Sequence, residues 1–148
     1  MAFDRTLVLE RWETPCSYVK GLFFVRLVEE VGLTFCVRDE EYEYAFKFEN
    51  FGPYQVADEA FLGAYQIEIE EHRALADFTE KLLGWTCLVS NSLWEKSFNE
   101  GLMHHIYFRV GLQHYSIQTW DSCLDILSSQ APVISISRLT DKKQTPRP

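Results

Sequence analysis

Histidines are the residues of this chain best suited to metal chemistry. His104, His105 and His114 lie within eleven residues, and imidazole is the commonest protein ligand for transition metals. We predict strands here, in which adjacent side chains point to opposite faces, so His104 and His105 could not share an ion. A hairpin turning at Val110–Gly111 would place His114 on the face of His105. No tight metal motif such as H-E-x-x-H is present, and we expect hydrogen-bonded histidines with no metal and no cofactor.

Nucleophilic catalysis would need a nucleophile, a base and an orienting acid. Proximity suggests Cys123, His114 and Asp121, but no G-x-S-x-G elbow accompanies them. Cys123 falls on the apolar stripe of a predicted helix, so we interpret it as a buried structural thiol. The seven glycines form neither G-x-x-x-x-G-K nor G-x-G-x-x-G. We therefore predict no catalytic residues. An enzyme ranks third, after the two binding functions given at the end of this section.

Carboxylates occur in groups along the chain, among them Asp39–Glu41 and Asp58–Glu59. Glycoside hydrolysis would require two carboxyl groups about 5 to 10 Å apart in a cleft, and abundance alone identifies no such pair. Most of these acids fall on polar faces of predicted strands. We predict that the cluster Glu68, Glu70 and Glu71 forms a docking patch for a partner.

The net charge of −8 is unevenly distributed. Four basic side chains against one acidic one give the segment from Arg138 onward a charge of +3, which leaves −11 for residues 1–137. Residues 1–137 would repel nucleic acid, because nucleic-acid binding depends on Lys and Arg side chains that neutralise phosphates. Their charge suits a basic protein partner, although acidity for solubility alone is the alternative. No apolar run approaches the roughly 20 residues of a membrane span.

The four cysteines are widely spaced and form no C-x-x-C pair. No charged-then-apolar leader precedes them. We therefore expect reduced thiols in a cytoplasmic protein.

The stretch Leu33 to Asn50 alternates apolar and polar residues, which predicts a β-hairpin. A two-residue loop at Asp39–Glu40 would place Val37 opposite Tyr42. Because Asp-Glu is a poor pair for a tight turn, a slightly longer loop is the alternative. A slip of one residue would bury charged side chains, so the faces are well determined.

Two substitutions distinguish the predicted faces of this hairpin. Tyr44→Asp should destabilise the fold by burying a charge. Glu43→Lys, on the predicted solvated face, should change stability by less than about 0.5 kcal/mol. The apolar face could be core or could line a ligand pocket, and its aromatic members on the second strand are Tyr42, Tyr44, Phe46 and Phe48.

Alternation and turn residues predict further strands at 6–12, 20–29, 54–56, 65–69, 85–89, 106–110, 112–118 and 132–139. Helical spacing predicts helices at 71–83, from Asn91 or Ser92 to Gly101, and at 119–127. We predict an α+β fold with one curved, mainly antiparallel sheet, of which a half-barrel is one form, and two to three short helices in the second half. Residues 1–139 form a single domain, and residues 140–148 form a mobile polar tail.

Three segments resemble a loosely defined group of small bacterial proteins: FKFENFGPYQVADEAF at 46–61, GWTCLVSNS at 84–92, and residues 114–127. In that group a W-x-V-x-N-S strand and turn precedes a short aromatic helix, and an H-Y-x-I-x-T strand leads into a D-x-L-s helix. Members resemble immunity proteins of bacterial toxin systems. The resemblance implies a binding role, with no catalytic residues to carry over.

We therefore predict a non-enzymatic protein-binding module, an immunity protein that neutralises a basic toxin domain. The alternative is a small-molecule binder that uses an aromatic-lined concavity of the sheet.

Overall fold

The fold is taken from a computed structural model, which describes residues 7–58, 69, 71–74, 83–98 and 112–139. Strands dominate this part of the chain. Their bounds are β1 Val8–Arg11, β2 Phe23–Glu29, β3 Leu33–Arg38, β4 Tyr42–Phe48, β5 Phe51–Asp58, β6 Thr86–Ser90, β7 Gln113–Gln118, β8 Ser122–Ser128 and β9 Val133–Arg138. Residues Leu93–Lys96 form a short helix, and residues 71–74 are helical.

The strands form two antiparallel sheets. The first has the order β1-β6-β7-β8-β5, and the second has the order β2-β3-β4-β9. β5 follows β4 in the chain but pairs with β8 in the first sheet, and β9 returns to pair with β4. The prediction of mainly antiparallel sheet is confirmed. The finer prediction of one sheet differs from the structure, where the described strands make two sheets and neither closes into a barrel.

A shared apolar core lies between the two sheets. β3 and β4 contribute their inward residues, and β7 and β8 contribute Tyr115, Ile117 and Ile126. The Trp12 ring bridges the layers, with its centroid 5.7 Å from that of Phe46 and 4.9 Å from that of Tyr115. An apolar sheet face must be buried against another element. Here a second sheet covers that face.

The aromatic stripe of β4 belongs to this core. Tyr44, Phe46 and Phe48 are buried, and Phe48 contacts Tyr115 of the opposite sheet at a centroid distance of 5.6 Å. These three side chains therefore pack between the sheets.

The predicted hairpin of β3 and β4 exists with a different register. Val37 lies opposite Tyr44, two residues further along than expected. The Asp39 side chain explains the shift, because its Oδ1 accepts the backbone N–H groups of Glu41 at 2.8 Å and Tyr42 at 2.7 Å. Asp39 thus starts the turn, as Asx turns do. The inward and outward faces of the hairpin are unchanged by this shift of two residues, because strand side chains alternate with a period of two.

Glu43 does not lie on a solvated face. It is 5% exposed, and Oε2 lies 2.8 Å from the NH2 nitrogen of Arg26 on β2. The expectation of a solvated Glu43 was wrong because a neighbouring strand, outside the hairpin, supplies the covering cation. Glu43→Lys would place two cations together.

The helix predicted at 119–127 is strand β8. Ser122–Ser128 pairs with β7 on one side and β5 on the other, and every residue after Ser122 is buried. A strand covered on both faces loses its alternation and cannot be told from a buried helix by periodicity. Thr119 serves the tight turn, where its Oγ1 accepts the N–H of Ser122 at 2.9 Å.

Other elements agree in part with the sequence. The strand predicted at 54–56 lies within β5, which begins at Phe51 and is irregularly paired between Phe51 and Tyr54. Pro53 is tolerated there because β5 is an edge strand. Ile69, predicted as strand, is helical, in line with the helix preference of the Glu and Gln around it. The rest of that strand, the strand at 106–110 and the tail 140–148 lie outside the described residues.

Candidate functional site

A buried polar network joins β7, β8 and the short helix. His114 on β7 places Nε2 2.8 Å from Oδ1 of Asp125 on β8, and Nδ1 3.1 Å from Oγ of Ser92. All three side chains are buried. The β7–β8 register sets Asp125 opposite Ser116, so His114 and Asp125 are diagonal neighbours on one face.

Serine, histidine and aspartate are the components of a hydrolase triad. In serine proteases the serine faces Nε2 and the carboxylate faces Nδ1, whereas here the two partners are exchanged. Ser92 Oγ also accepts the backbone N–H of Glu95 at 3.0 Å and caps the helix Leu93–Lys96. The Trp94 ring packs 4.9 Å from the imidazole. In this geometry the network fixes the helix to the sheet.

The sequence had joined His114 to other partners. Asp121, its predicted acid, instead accepts the Thr119 hydroxyl at 3.0 Å, and Cys123 is buried on β8. His104 and His105 lie outside the described residues. In the parts of the chain that are described, no three His, Cys, Asp or Glu side chains could hold a metal ion together. The pairing of Asp125 with His114 was not predicted, because residues 119–127 were predicted to form a helix.

The turn between β7 and β8 presents an exposed tryptophan. Trp120 is 56% exposed, and its backbone N–H donates to the carbonyl of Leu22 at 2.8 Å. Asp121 Oδ1 accepts the N–H of Phe24 at 3.4 Å. A Cβ at Gly21 would lie 3.0 Å from the indole nitrogen of Trp120, so the ring packs closely on this glycine. The tryptophan is therefore held in place while much of it faces solvent.

Trp120 lines an open cleft of about 550 Å³, which we call the Trp120 cleft. One part of its wall comes from Lys20, before β2, and from Phe23, the first residue of β2. The other part is the β3–β4 turn, Asp39–Glu41. The lining residues include three acids and one lysine, so the wall carries a net negative charge beside an aromatic ring.

Hydrogen bonds hold the acidic turn in shape. Burial opposes ionisation of Asp39, but the backbone N–H groups of Tyr42 and Glu41 and the Tyr44 hydroxyl lower the pKa of its carboxyl below the ordinary value. The Tyr44 hydroxyl donates to Oδ2 of Asp39 at 2.8 Å. Burial and this carboxylate raise the pKa of Tyr44. Both Glu40 and Glu41 are exposed on the same turn, so two acidic side chains extend from a backbone that these hydrogen bonds hold in place.

The patch predicted at Glu68, Glu70 and Glu71 is described only at Glu71. That residue is exposed in the helical segment 71–74, and Glu68 and Glu70 lie outside the described residues. Sequence reasoning missed the Trp120 cleft, since a helix was predicted there. The short stretch Thr119 to Ser122, with three turn-forming residues between two strand-like runs, was the signal that could have indicated a hairpin.

Comparison of the chain with models of protein families, with curated proteins and with solved structures finds no match. In the described portion, none of the helices has the length and apolar character that crossing a membrane requires.

Proposed function

We propose that this protein is a non-enzymatic binding module that takes a basic segment of another protein into the Trp120 cleft. The observation that carries the proposal is a half-exposed tryptophan, anchored by backbone hydrogen bonds, beside a fixed turn with three carboxylates. Tryptophan is among the residues most enriched at the energetic centre of protein interfaces.

The two parts of the cleft would contribute differently to binding. Trp120 is already ordered, so burying its ring costs little side-chain entropy and should mainly slow dissociation. Exposed carboxylates at Glu40 and Glu41 would mainly speed association with a basic partner, because rim charges act over the distance of encounter.

The partner class follows from charge and from the resemblance noted above. The net charge of −11 on residues 1–137 would attract a basic domain. The bacterial proteins that the sequence resembles are similar to immunity proteins of toxin systems. We propose a basic toxin domain as the partner and the cytoplasm as the place of binding. All four cysteines are buried and none forms a disulfide, which supports a reducing compartment. The predicted patch at Glu68, Glu70 and Glu71 remains a second proposed contact.

The test uses a basic partner protein isolated from the source organism by pull-down on this protein and then immobilised for kinetic measurement of binding. Trp120→Ala should raise the dissociation rate at least about tenfold, as loss of a central interface residue does. Glu40→Lys with Glu41→Lys should slow association several-fold at low salt, and this difference should shrink as salt rises.

The matched control reverses two exposed carboxylates elsewhere, Glu10→Lys with Glu49→Lys, and changes the net charge equally. If the control slows association as much as the Glu40 and Glu41 reversal, the cleft is not the contact. Unchanged dissociation of the Trp120→Ala variant would also refute the proposal.

A further inference from the structure

A buried arginine lines a second cleft, next to the first. Arg73 is 5% exposed, and it borders an open space of about 430 Å³ that we call the Arg73 cleft. Tyr18 and Trp85 form aromatic parts of its wall. Val19 borders both clefts, and the rings of Trp85 and Trp120 lie 6.0 Å apart.

The partners of the Arg73 guanidinium are all uncharged acceptor types. Nε donates to the amide oxygen of Gln118, NH1 to the sulfur of Cys87 at 3.3 Å, and NH2 to the carbonyl of Gly84 at 2.6 Å. A guanidinium has five N–H groups, and these contacts use three of them. Among the residues that the structure describes, no carboxylate lies within ion-pairing distance of Arg73. With respect to these described residues, the buried guanidinium meets only neutral acceptors, and a buried charge that is compensated in this way alone is costly.

The position of the guanidinium is tightly fixed. Gly84, whose carbonyl it binds, has a φ of +76°, and a Cβ there would lie 2.2 Å from the carbonyl oxygen of Ser17. The N–H of Trp85 donates to the same Ser17 carbonyl at 2.9 Å, and the N–H of Gln118 donates to the Trp85 carbonyl at 2.7 Å. These contacts form a rigid frame around the buried charge, as a preorganised binding site requires.

We propose that the Arg73 cleft is a binding site for a small organic carboxylate. The two carboxylate oxygens would accept the two remaining guanidinium N–H groups, in the forked geometry that arginine favours. An aromatic or aliphatic part of the ligand would lie against Trp85 and Tyr18. The Trp85 indole N–H already donates to Val19 at 2.8 Å, so the ring offers an apolar surface. The volume falls within the range of small-molecule sites.

This site is separate from the one proposed for the protein partner, and its test needs no partner. Benzoate is titrated into the isotope-labelled protein, and backbone and indole N–H signals are followed by NMR. We expect saturable shifts centred on Gly84, Trp85 and Gln118. Benzamide has the same shape without the charge, and it should bind at least about tenfold more weakly if the guanidinium supplies the contact.

Variants assign the effect to Arg73. Arg73→Lys keeps the charge without the fork and should weaken benzoate binding at least about fivefold. Arg38→Lys, at an exposed arginine that stacks 5.2 Å from the Phe23 ring, is the control and should leave it unchanged. Tyr18→Ala, at an exposed position, should weaken binding without unfolding the protein, which keeps the test informative if Arg73→Lys folds poorly.

Three results would overturn the proposal. One is the absence of saturable shifts, and another is equal binding of benzoate and benzamide. The third is benzoate binding whose shifts map to the exposed arginines instead of Gly84 and Trp85.

Discussion

Removal of the Asp125 carboxylate should destabilise the fold strongly. In Asp125→Ala, Nε2 of His114 loses its 2.8 Å partner within a fully buried pair. An unsatisfied buried polar group costs about 1–3 kcal/mol, and removal of one member of a buried pair typically costs about 3–5 kcal/mol. We expect a loss of about 3–5 kcal/mol in the free energy of unfolding, a large part of the 5–15 kcal/mol that proteins usually have.

Two further variants separate the lost hydrogen bond from the lost volume. Asp125→Asn keeps an oxygen that can accept from His114 and should cost clearly less than Asp125→Ala. The double variant His114→Phe with Asp125→Leu replaces the pair by apolar groups and should be less destabilised than the sum of the two single polar deletions, because neither member of the pair remains to be left without the other.

Urea unfolding followed by tryptophan fluorescence at neutral pH measures these differences, provided that the slope with urea stays constant. Glu49→Ala, at an exposed carboxylate, is the control and should stay within about 0.5 kcal/mol of the parent. A loss below about 1 kcal/mol for Asp125→Ala would refute the view that this network fixes the helix to the sheet.

Two further predictions concern the β3–β4 hairpin. Tyr44→Phe removes the hydroxyl that donates to Asp39 and should cost about 1 kcal/mol at neutral pH. Because the pKa of Asp39 is lowered in the fold, its carboxylate contributes fully to stability above the unfolded pKa of about 3.9, and this contribution is lost as pH falls through the lower folded value. Urea unfolding from pH 7 to pH 2 should therefore show that Tyr44→Phe costs less stability in acid. A cost that is constant with pH would contradict this. Glu43→Lys should lower stability by about 2 kcal/mol or more, since it places a buried ammonium next to Arg26. Lys47→Glu, at an exposed position on the same strand, is the control and should change stability little. Equal shifts in melting temperature for the two variants would show that Glu43 is solvated.

Local patterns in the sequence were enough to predict several elements. The alternation from Leu33 to Phe48 predicted the inward face of the hairpin correctly. Ser92 caps the predicted helix, and Trp94 contacts Phe98 with ring centroids 5.3 Å apart. These features depend on residues within a few positions of each other, where backbone geometry fixes the spacing of side chains.

The tertiary structure decided what distant residues do to one another. One local contact also lay outside what the alternation could predict: the Asp39 side chain set the hairpin register, whereas the alternation permitted any shift of two residues. Because β8 is buried on both faces, its sequence lacks the alternation that predicts a strand. The pairing of His114 with Asp125 therefore could not be predicted either.

The candidate sites follow the same division. Trp120 and the acidic turn are 79 or more positions apart in the sequence, and they share a cleft only because two hairpins from different sheets meet there. Arg73 likewise depends on Gly84 and Gln118 for its partners. The sequence by itself determined which faces are apolar and where the net charge lies, because both are properties of local composition. Which charges become buried and which aromatics stay exposed depends on the packing of the two sheets, and only the folded chain determines that.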